Sequence, residues 1–246
     1  MTSNKPPSDA SVQPPPGAVR RGRTGLAEFE SRFAGVISIV VLLAVWEVIA
    51  HWIIPWVNPQ SAMLMPAPSA IFAAGWQLGK TGVLWEHALA STKRVMIAWG
   101  AVCVIAIPLG IAMGWWKRFN RYLNPVIEIL RPIPPLAWIP ISILWFGIGL
   151  NQNIFIIMIG AFFPILINTI HGVKGVDPVL VRAARNFSSS EWTILRRVVL
   201  HAALPNIFTG ARIGLGISWA VLVAAELVAA TSGLGFMIED ARNFLR

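Results

Sequence analysis

The chain has 246 residues, of which 56% are hydrophobic and only 13% charged, with a net charge of +9. A soluble globular domain carries roughly 25% charged residues; here the charges gather in short segments between long apolar runs, which excludes one oversized soluble core and points to several membrane spans. The basic excess fits the retention of Lys and Arg on the cytoplasmic side of spans better than it fits nucleic-acid binding.

Residues 1–30 read as a disordered tail, with Pro14, Pro15 and Pro16 followed by Arg20, Arg21 and Arg23. The apolar run after it is too long for a signal-peptide core and no small-residue cleavage site follows, so it reads as an uncleaved span over 33–54. It closes on Trp52, Pro55 and Trp56, and tryptophan suits the headgroup layer. Residues 55–92 are mixed. Ser69 is placed to cap an amphipathic helix from 70 to 78, lying along the membrane surface.

A second span covers 95–116 and is followed by Lys117, Arg118 and Arg121. A third, 125–148, contains Pro132, Pro134, Pro135 and Pro140, through which a regular helix cannot run. Broken helix at membrane depth is tolerated only when buried in protein or lining a cavity. Gly147 to Asn151 form a short turn, and the fourth span covers 154–170. The segment 171–205 is polar and basic, the fifth span covers 207–231, and 233–246 is an amphipathic fragment.

The basic residues set an orientation. One side holds Lys5, Arg20, Arg21, Arg23 and Arg32, then Lys117, Arg118 and Arg121, then Lys174, Arg182, Arg185, Arg196 and Arg197. The other holds only Lys80, Lys93, Arg94, Arg242 and Arg246. The imbalance predicts a cytoplasmic N-terminus and cytoplasmic basic loops.

Within 171–205, Asp177 reads as an N-cap with Pro178 at the first helical position. A helix follows over 178–187. Ser188 and Glu191 have capping-box spacing for a second, and Pro205 is expected to force a bend. Ala183 and Ala184 give the first helix a small-residue surface that a partner can approach closely.

Arg182-Ala183-Ala184-Arg185-Asn186-Phe187-Ser188, followed by Val198-Val199-Leu200, resembles the EAA loop of binding-protein-dependent ABC importer permeases. Leu130-Arg131-Pro132-Ile133-Pro134-Pro135-Leu136-Ala137-Trp138-Ile139-Pro140 resembles the nitrate/taurine/sulfonate branch, as do Leu144-Trp145-Phe146-Gly147-Ile148-Gly149, Gly160-Ala161-Phe162-Phe163-Pro164-Ile165-Leu166 and Pro205-Asn206-Ile207-Phe208-Thr209-Gly210. The resemblance covers residues 35–246.

It implies an all-α polytopic transmembrane bundle of the type I importer kind over 31–246, in a bacterial inner membrane, with five spans visible and a sixth expected beyond the chain end. With five spans the C-terminus would be periplasmic. It further implies a translocation path for a small anion such as nitrate, taurine, an alkyl sulfonate or bicarbonate. The expected partners are two ATPase subunits holding ATP and magnesium, a second copy of the permease and a periplasmic substrate-binding protein. Coupling to the ATPase is expected at Arg182, Ala183, Ala184, Phe187, Ser188 and Glu191. Three positions depart from the family loop: Arg182 stands where Glu is usual, Ser188 replaces the turn Gly, and His201 replaces the first Pro. Ser188 at a positive φ costs up to about 1 kcal/mol, which capping of the following helix by the same residue avoids.

Four residues are candidates for the translocation path. Glu47 and Glu226 lie within spans, where an ionisable residue either functions or pairs inside the bundle. Glu128 and Arg131 can pair across one helical turn; alternatively Arg131, at the start of the broken span, meets the anion. The lone Cys103, in an apolar run, reads as a small apolar residue. The scattered His51, His87, His171 and His201 have no metal spacing, and no GxxxxGK[ST] loop for nucleotide occurs. An intramembrane enzyme would need a nucleophile–base or metal constellation in the spans, which is not found. A passive channel would not need an alanine-rich docking loop.

Overall fold

A computed structural model describes residues 25–57 and 65–243, with side chains for residues 33–56 and 65–243. The chain divides into two compact units, Met1–Gly75 and Trp76–Arg246. Every regular element among the described residues is helical.

In the first unit α1 runs Gly25–Val48 and continues through a wider π-type turn, Ile49–Ile53, into Ile54–Val57. The helix begins inside the segment expected to be tail; residues 1–24 lie outside the described ones. Large apolar side chains such as Val36, Ile39, Val40 and Leu42 are exposed all along it, as suits a helix that faces lipid. The next helix, α2, is Pro68–Lys80. Ser69 is not its cap. It sits inside the first turn, where its N–H and Oγ both donate to the Glu47 carboxylate at 3.1 and 2.6 Å. The cap is therefore supplied by a distant acidic side chain, which answers one orphan N-terminal N–H and the Ser69 hydroxyl at once.

The second unit is built on three long helices: α3 (Val83–Trp115), α6 (Leu150–Lys174) and α8, which is continuous over Glu191–Ala229. Between the first two lie α4 (Lys117–Leu130) and α5 (Ile139–Phe146), the latter led by a 3₁₀ turn, Pro135–Trp138. The α4–α5 pair is bent by 84°, so among the described residues four helices are long and apolar enough to cross a membrane, or five if the bent pair is one broken span. The proline-rich break is where the sequence places it, with Pro132, Pro134 and Pro135 in or beside it. Pro140 does not contribute, because it opens α5, where its missing N–H costs nothing. The turn is present but shorter than expected, Gly147–Gly149, with Gly147 at φ 70° and Gly149 at φ 137°, because Leu150 and Asn151 already belong to α6.

Three spans are longer than expected, α6 by a turn at each end, Leu150–Lys174 against 154–170. Helix α3 starts at Val83, so Lys93 and Arg94 lie within it rather than in a flanking loop. At 1.5 Å per residue its 33 residues reach about 50 Å, well beyond a hydrocarbon core of about 30 Å. Helix α8 runs unbroken through Pro205. Just ahead of the proline the turn widens over Leu195–Val199, with the Leu200 N–H bonded back to Leu195 O, and Thr209 Oγ1 donates to Pro205 O at 2.8 Å. Local adjustments of this kind let a membrane helix keep a proline.

In lipid there is no hydrophobic drive between helices, so close backbone approach has to supply packing. Gly110 and Gly114 of α3 lie against Thr169 and Val173 of α6, and Gly210 and Gly214 of α8 against Asn168 and Ile165. Both pairs are spaced G-x-x-x-G, the small-residue seam that permits such contact. The buried layer includes Val102, Ala106, Met113, Ala161, Ile165 and Leu166.

Candidate functional site

Helix α7 (Pro178–Asn186) lies outside all the candidate spans. Asp177 caps it as its sequence predicts, with Val179 N–H donating to Asp177 Oδ1 at 2.7 Å. Its C-terminal turn closes by Phe187 N–H to Ala183 O and Ser188 N–H to Arg185 O. Ser188 itself takes φ 59°, the one non-glycine positive φ among the described residues. The capping-box expectation is thus corrected: Ser188 occupies the left-handed turn, and Ser190 caps the next helix, accepting from Thr193 N–H at 3.3 Å. Glu191, freed from that box, takes Arg185 in a two-bond fork, Nε–Oε1 2.9 Å and Nη2–Oε2 3.2 Å. The carboxylate raises the Arg185 pKa above its usual value and ties the two ends of the turn together.

The two alanines part company. Ala184 turns inward and packs with Val181 and Val176 against the cluster of Val173, Ile194, Leu195 and Val199. Ala183 is exposed, as are Arg182, Val179 and Leu180, and Phe187 is 85% exposed. Val179, Ala183 and Phe187 stand four residues apart, so they form one apolar stripe on the outward face. Ala184 is thus half-buried against its own bundle, whereas Ala183 is exposed.

Arg131 follows the last residue of α4, its N–H bonded to Ile127 O. It is exposed and borders two clefts along α6. One, of about 520 Å³, is lined by Asn124, Glu128, Arg131, His171 and Lys174 among others. The other, about 390 Å³, is lined by Arg131, Asn168, Pro164 and Gly160 among others. The Glu128–Arg131 pairing left open by the sequence is not made; Glu128 instead accepts from Asn124 Nδ2 at 2.5 Å.

The remaining two carboxylates sit elsewhere. Glu47 is occupied by Ser69, with His51 Nδ1 3.5 Å away. Glu226 is 1% exposed and enclosed by donors. Arg94 Nη1 reaches it at 2.6 Å, Ser91 Oγ at 2.9 Å and Gly235 N–H at 2.9 Å. Arg94 also donates to Ser232 O and Oγ, both at 2.6 Å. Gly233 and Gly235 are required here, because a Cβ on either would collide with Glu226. Sequence reasoning missed this network because it placed Arg94 in a flank. The signal was present: an Arg and a Glu in two different apolar runs, each needing the other. No group of three or more His, Cys, Asp or Glu suited to a metal occurs among the described residues.

The family model for the inner membrane component of binding-protein-dependent transport systems matches residues 106–245. The taurine transport system permease protein TauC of Escherichia coli K12 is 42% identical over 213 residues, covering 85% of this chain and 76% of that protein. A putative aliphatic sulfonates transport permease, SsuC of Bacillus subtilis 168, is 39% identical over 210 residues, covering 85% and 74%. The bicarbonate transport system permease protein CmpB of Synechococcus elongatus is 42% identical over 161 residues, covering 65% and 58%. Among solved structures, the MetNI methionine ABC transporter in inward facing conformations is similar in fold, with a TM-score of 0.58 and 23% identity, covering 65% of this chain and 81% of that one.

Proposed function

The chain belongs to the family of binding-protein-dependent transport system inner membrane components, and from that premise we propose that it forms the translocation path for a small anion of the taurine, alkyl sulfonate, bicarbonate or nitrate type. It is a permease subunit, not an enzyme, and ATP and magnesium belong to separate ATPase subunits. The permeases for taurine, aliphatic sulfonates and bicarbonate that it resembles support that substrate class.

The observation that carries the reading is the stripe of Val179, Ala183 and Phe187. It is an apolar face outside the spans with no lipid to cover it. Exposed apolar surface around a large aromatic is the usual ground for a protein interface. On this reading the ATPase seats on α7, and its closure on ATP is passed through Ala184 and the Ile194–Leu195–Val199 layer into α8. Arg131 and the two clefts along α6 supply the anion-facing wall. A second copy of the chain closes that wall, a periplasmic binding protein delivers the solute, and α7 with the N-terminus faces the cytoplasm.

Reconstitution with the ATPase and binding protein in proteoliposomes tests this. ATP-dependent uptake of at least one of radiolabelled taurine, an alkyl sulfonate, bicarbonate or nitrate is expected, with Arg131→Gln slowing uptake while ATPase binding is kept. Uptake of none of these anions overturns the substrate class, and unchanged uptake by Arg131→Gln removes Arg131 from the path.

A further inference from the structure

A groove of about 360 Å³ runs between the C-terminal end of α3 and the first turns of α8. Its floor is Pro108, Ile111 and Ala112 of α3 with Leu195 and Leu200 of α8. Trp116, Trp192 and Arg196 complete the lining, and all three are exposed. The groove shares no lining residue with the clefts beside Arg131.

The lining has a direction. Helix α3 runs parallel to α6, with Gly110 at Thr169 and Gly114 at Val173, and α6 runs antiparallel to α8, with Gly172 at Asn206 and Gly214 at Ile165. Helices α3 and α8 therefore run in opposite directions, so Pro108 and Leu200 lie at one end of the groove and Trp116 and Trp192 at the other. From Pro108 to Trp116, and from Leu200 back to Trp192, is eight residues, about 12 Å at 1.5 Å per residue. One leaflet of a hydrocarbon core is about 15 Å deep, half of the whole. The groove thus fits within one leaflet, apolar at depth and closed at its rim by two indoles, the side chains that concentrate at the headgroup layer.

The charge at that rim is of one sign. Arg197 follows Arg196, Lys117 and Arg118 follow Trp116, and all four are exposed. The two carboxylates of the polar segment 171–205 are engaged elsewhere, Glu191 by Arg185 and Asp177 by the Val179 N–H. A phosphodiester is met there by cations alone, whereas a zwitterionic headgroup brings its ammonium into the same field.

We propose that this groove is a binding site for an anionic phospholipid, one acyl chain lying between α3 and α8 and the phosphate held at Arg196 between Trp116 and Trp192. Trp192, Leu195 and Arg196 belong to the turns that carry α7 into α8, so the bound lipid braces that junction against α3.

The test uses the permease with its ATPase in detergent, titrated separately with phosphatidylglycerol and phosphatidylcholine of equal chain length. Native mass spectrometry reads the affinity of the first lipid retained. Phosphatidylglycerol is expected to bind more tightly and to raise the melting temperature further. Arg196→Gln is expected to lower its affinity roughly fivefold, the weight of one basic side chain near an anionic surface. Ala112→Phe, which fills the floor and leaves Arg196 in place, is expected to weaken both lipids. Should it fail to assemble, Arg196→Gln, at an exposed position, carries the test alone. Lys80→Gln, ahead of the other end of α3, is expected to bind as the parent does. Equal affinity for the two lipids in the parent, or unchanged phosphatidylglycerol affinity in Arg196→Gln, overturns the site. Soluble glycerol 3-phosphate raising the melting temperature as far as phosphatidylglycerol does would make Arg196 a free-anion site and overturn it too. So would a disulfide joining two permease copies through Ala112→Cys in a Cys103→Ser background, which would seat a second copy in the groove.

Discussion

The Arg185 guanidinium and the Glu191 carboxylate meet in a parallel fork across the turn at Ser188, at 2.9 and 3.2 Å. Because both side chains are exposed, the pair adds little to global stability. Its effect is geometric, since two bonds fix the direction in which α7 leaves α8. Glu191→Gln keeps size and removes charge. The melting temperature is expected to stay unchanged while ATPase stimulation by the binding protein falls several-fold, with partial recovery in the exchanged pair Arg185→Glu with Glu191→Arg. Unchanged stimulation in Glu191→Gln would show that the fork plays no part in coupling.

Ala183 and Ala184 give a paired prediction. Ala184→Trp has to enter the layer of Ile194, Leu195 and Val199, and overpacking of a filled core typically costs about 1–3 kcal/mol. Its signature is a lower melting temperature of the isolated permease. Ala183→Trp projects outward beside Phe187, so the isolated permease is expected to melt normally and to lose ATPase affinity. Binding measured by surface plasmon resonance separates the two. If Ala183→Trp binds the ATPase as the parent does, the stripe is not the docking face.

Much of this was legible in the sequence, and the limits are physical. The broken span could be read because Pro132, Pro134 and Pro135 remove three donors within four positions, which no regular helix survives. Asp177-Pro178 gave the start of α7 for a similarly local reason. The turn at Ser188 was misread because Ser is a good cap and a poor left-handed residue, so local preference pointed to the wrong one of three successive serines. Seven hydrogen bonds around Arg94 and Glu226 were invisible because they join residues more than a hundred positions apart or across a glycine turn. Which alanine faces out depended on packing against α8, which periodicity along α7 alone does not reveal.

Ser188 also yields a prediction. A non-glycine residue in the left-handed region is tolerated at a cost, and a β-branched one is a true outlier there. Ser188→Gly is expected to be neutral or stabilising by up to about 1 kcal/mol, because relief of φ strain is offset by greater freedom in the unfolded chain. Ser188→Val is expected to destabilise the loop, read as faster proteolysis between α7 and α8 and weaker ATPase binding. Equal protease resistance in the two variants would show that the turn's positive φ carries no strain.

Gly114 packs against Val173 so closely that a Cβ would stand 2.5 Å from the valine Cβ. Neither backbone can retreat without opening the Gly110–Thr169 contact one turn away. Gly114→Leu is expected to separate α3 from α6 and lower the melting temperature in detergent. Gly100, whose added Cβ would meet nothing within 4 Å, is the control, and Gly100→Leu is expected to melt as the parent does. Similar melting of both variants would remove the glycine seam as the source of packing.

Topology can be tested at two ends of one helix. Lys174 closes α6, and Asn151 opens it; both are exposed in the structure. The basic-residue imbalance puts Lys174 in the cytoplasm and Asn151 outside. In a Cys103→Ser background, a membrane-impermeant maleimide added to spheroplasts is expected to label Asn151→Cys and spare Lys174→Cys until the membrane is permeabilised. Gln152 serves as an internal check. It adjoins Asn151 but is wholly buried, so Gln152→Cys is expected to label poorly from either side in the absence of turnover. Poor labelling there therefore says nothing about sidedness, and a comparison of Gln152 with Lys174 alone would mistake burial for topology. Labelling of Lys174→Cys but not Asn151→Cys in intact spheroplasts would invert the bundle, put α7 outside the cell and leave its apolar stripe with no ATPase to meet.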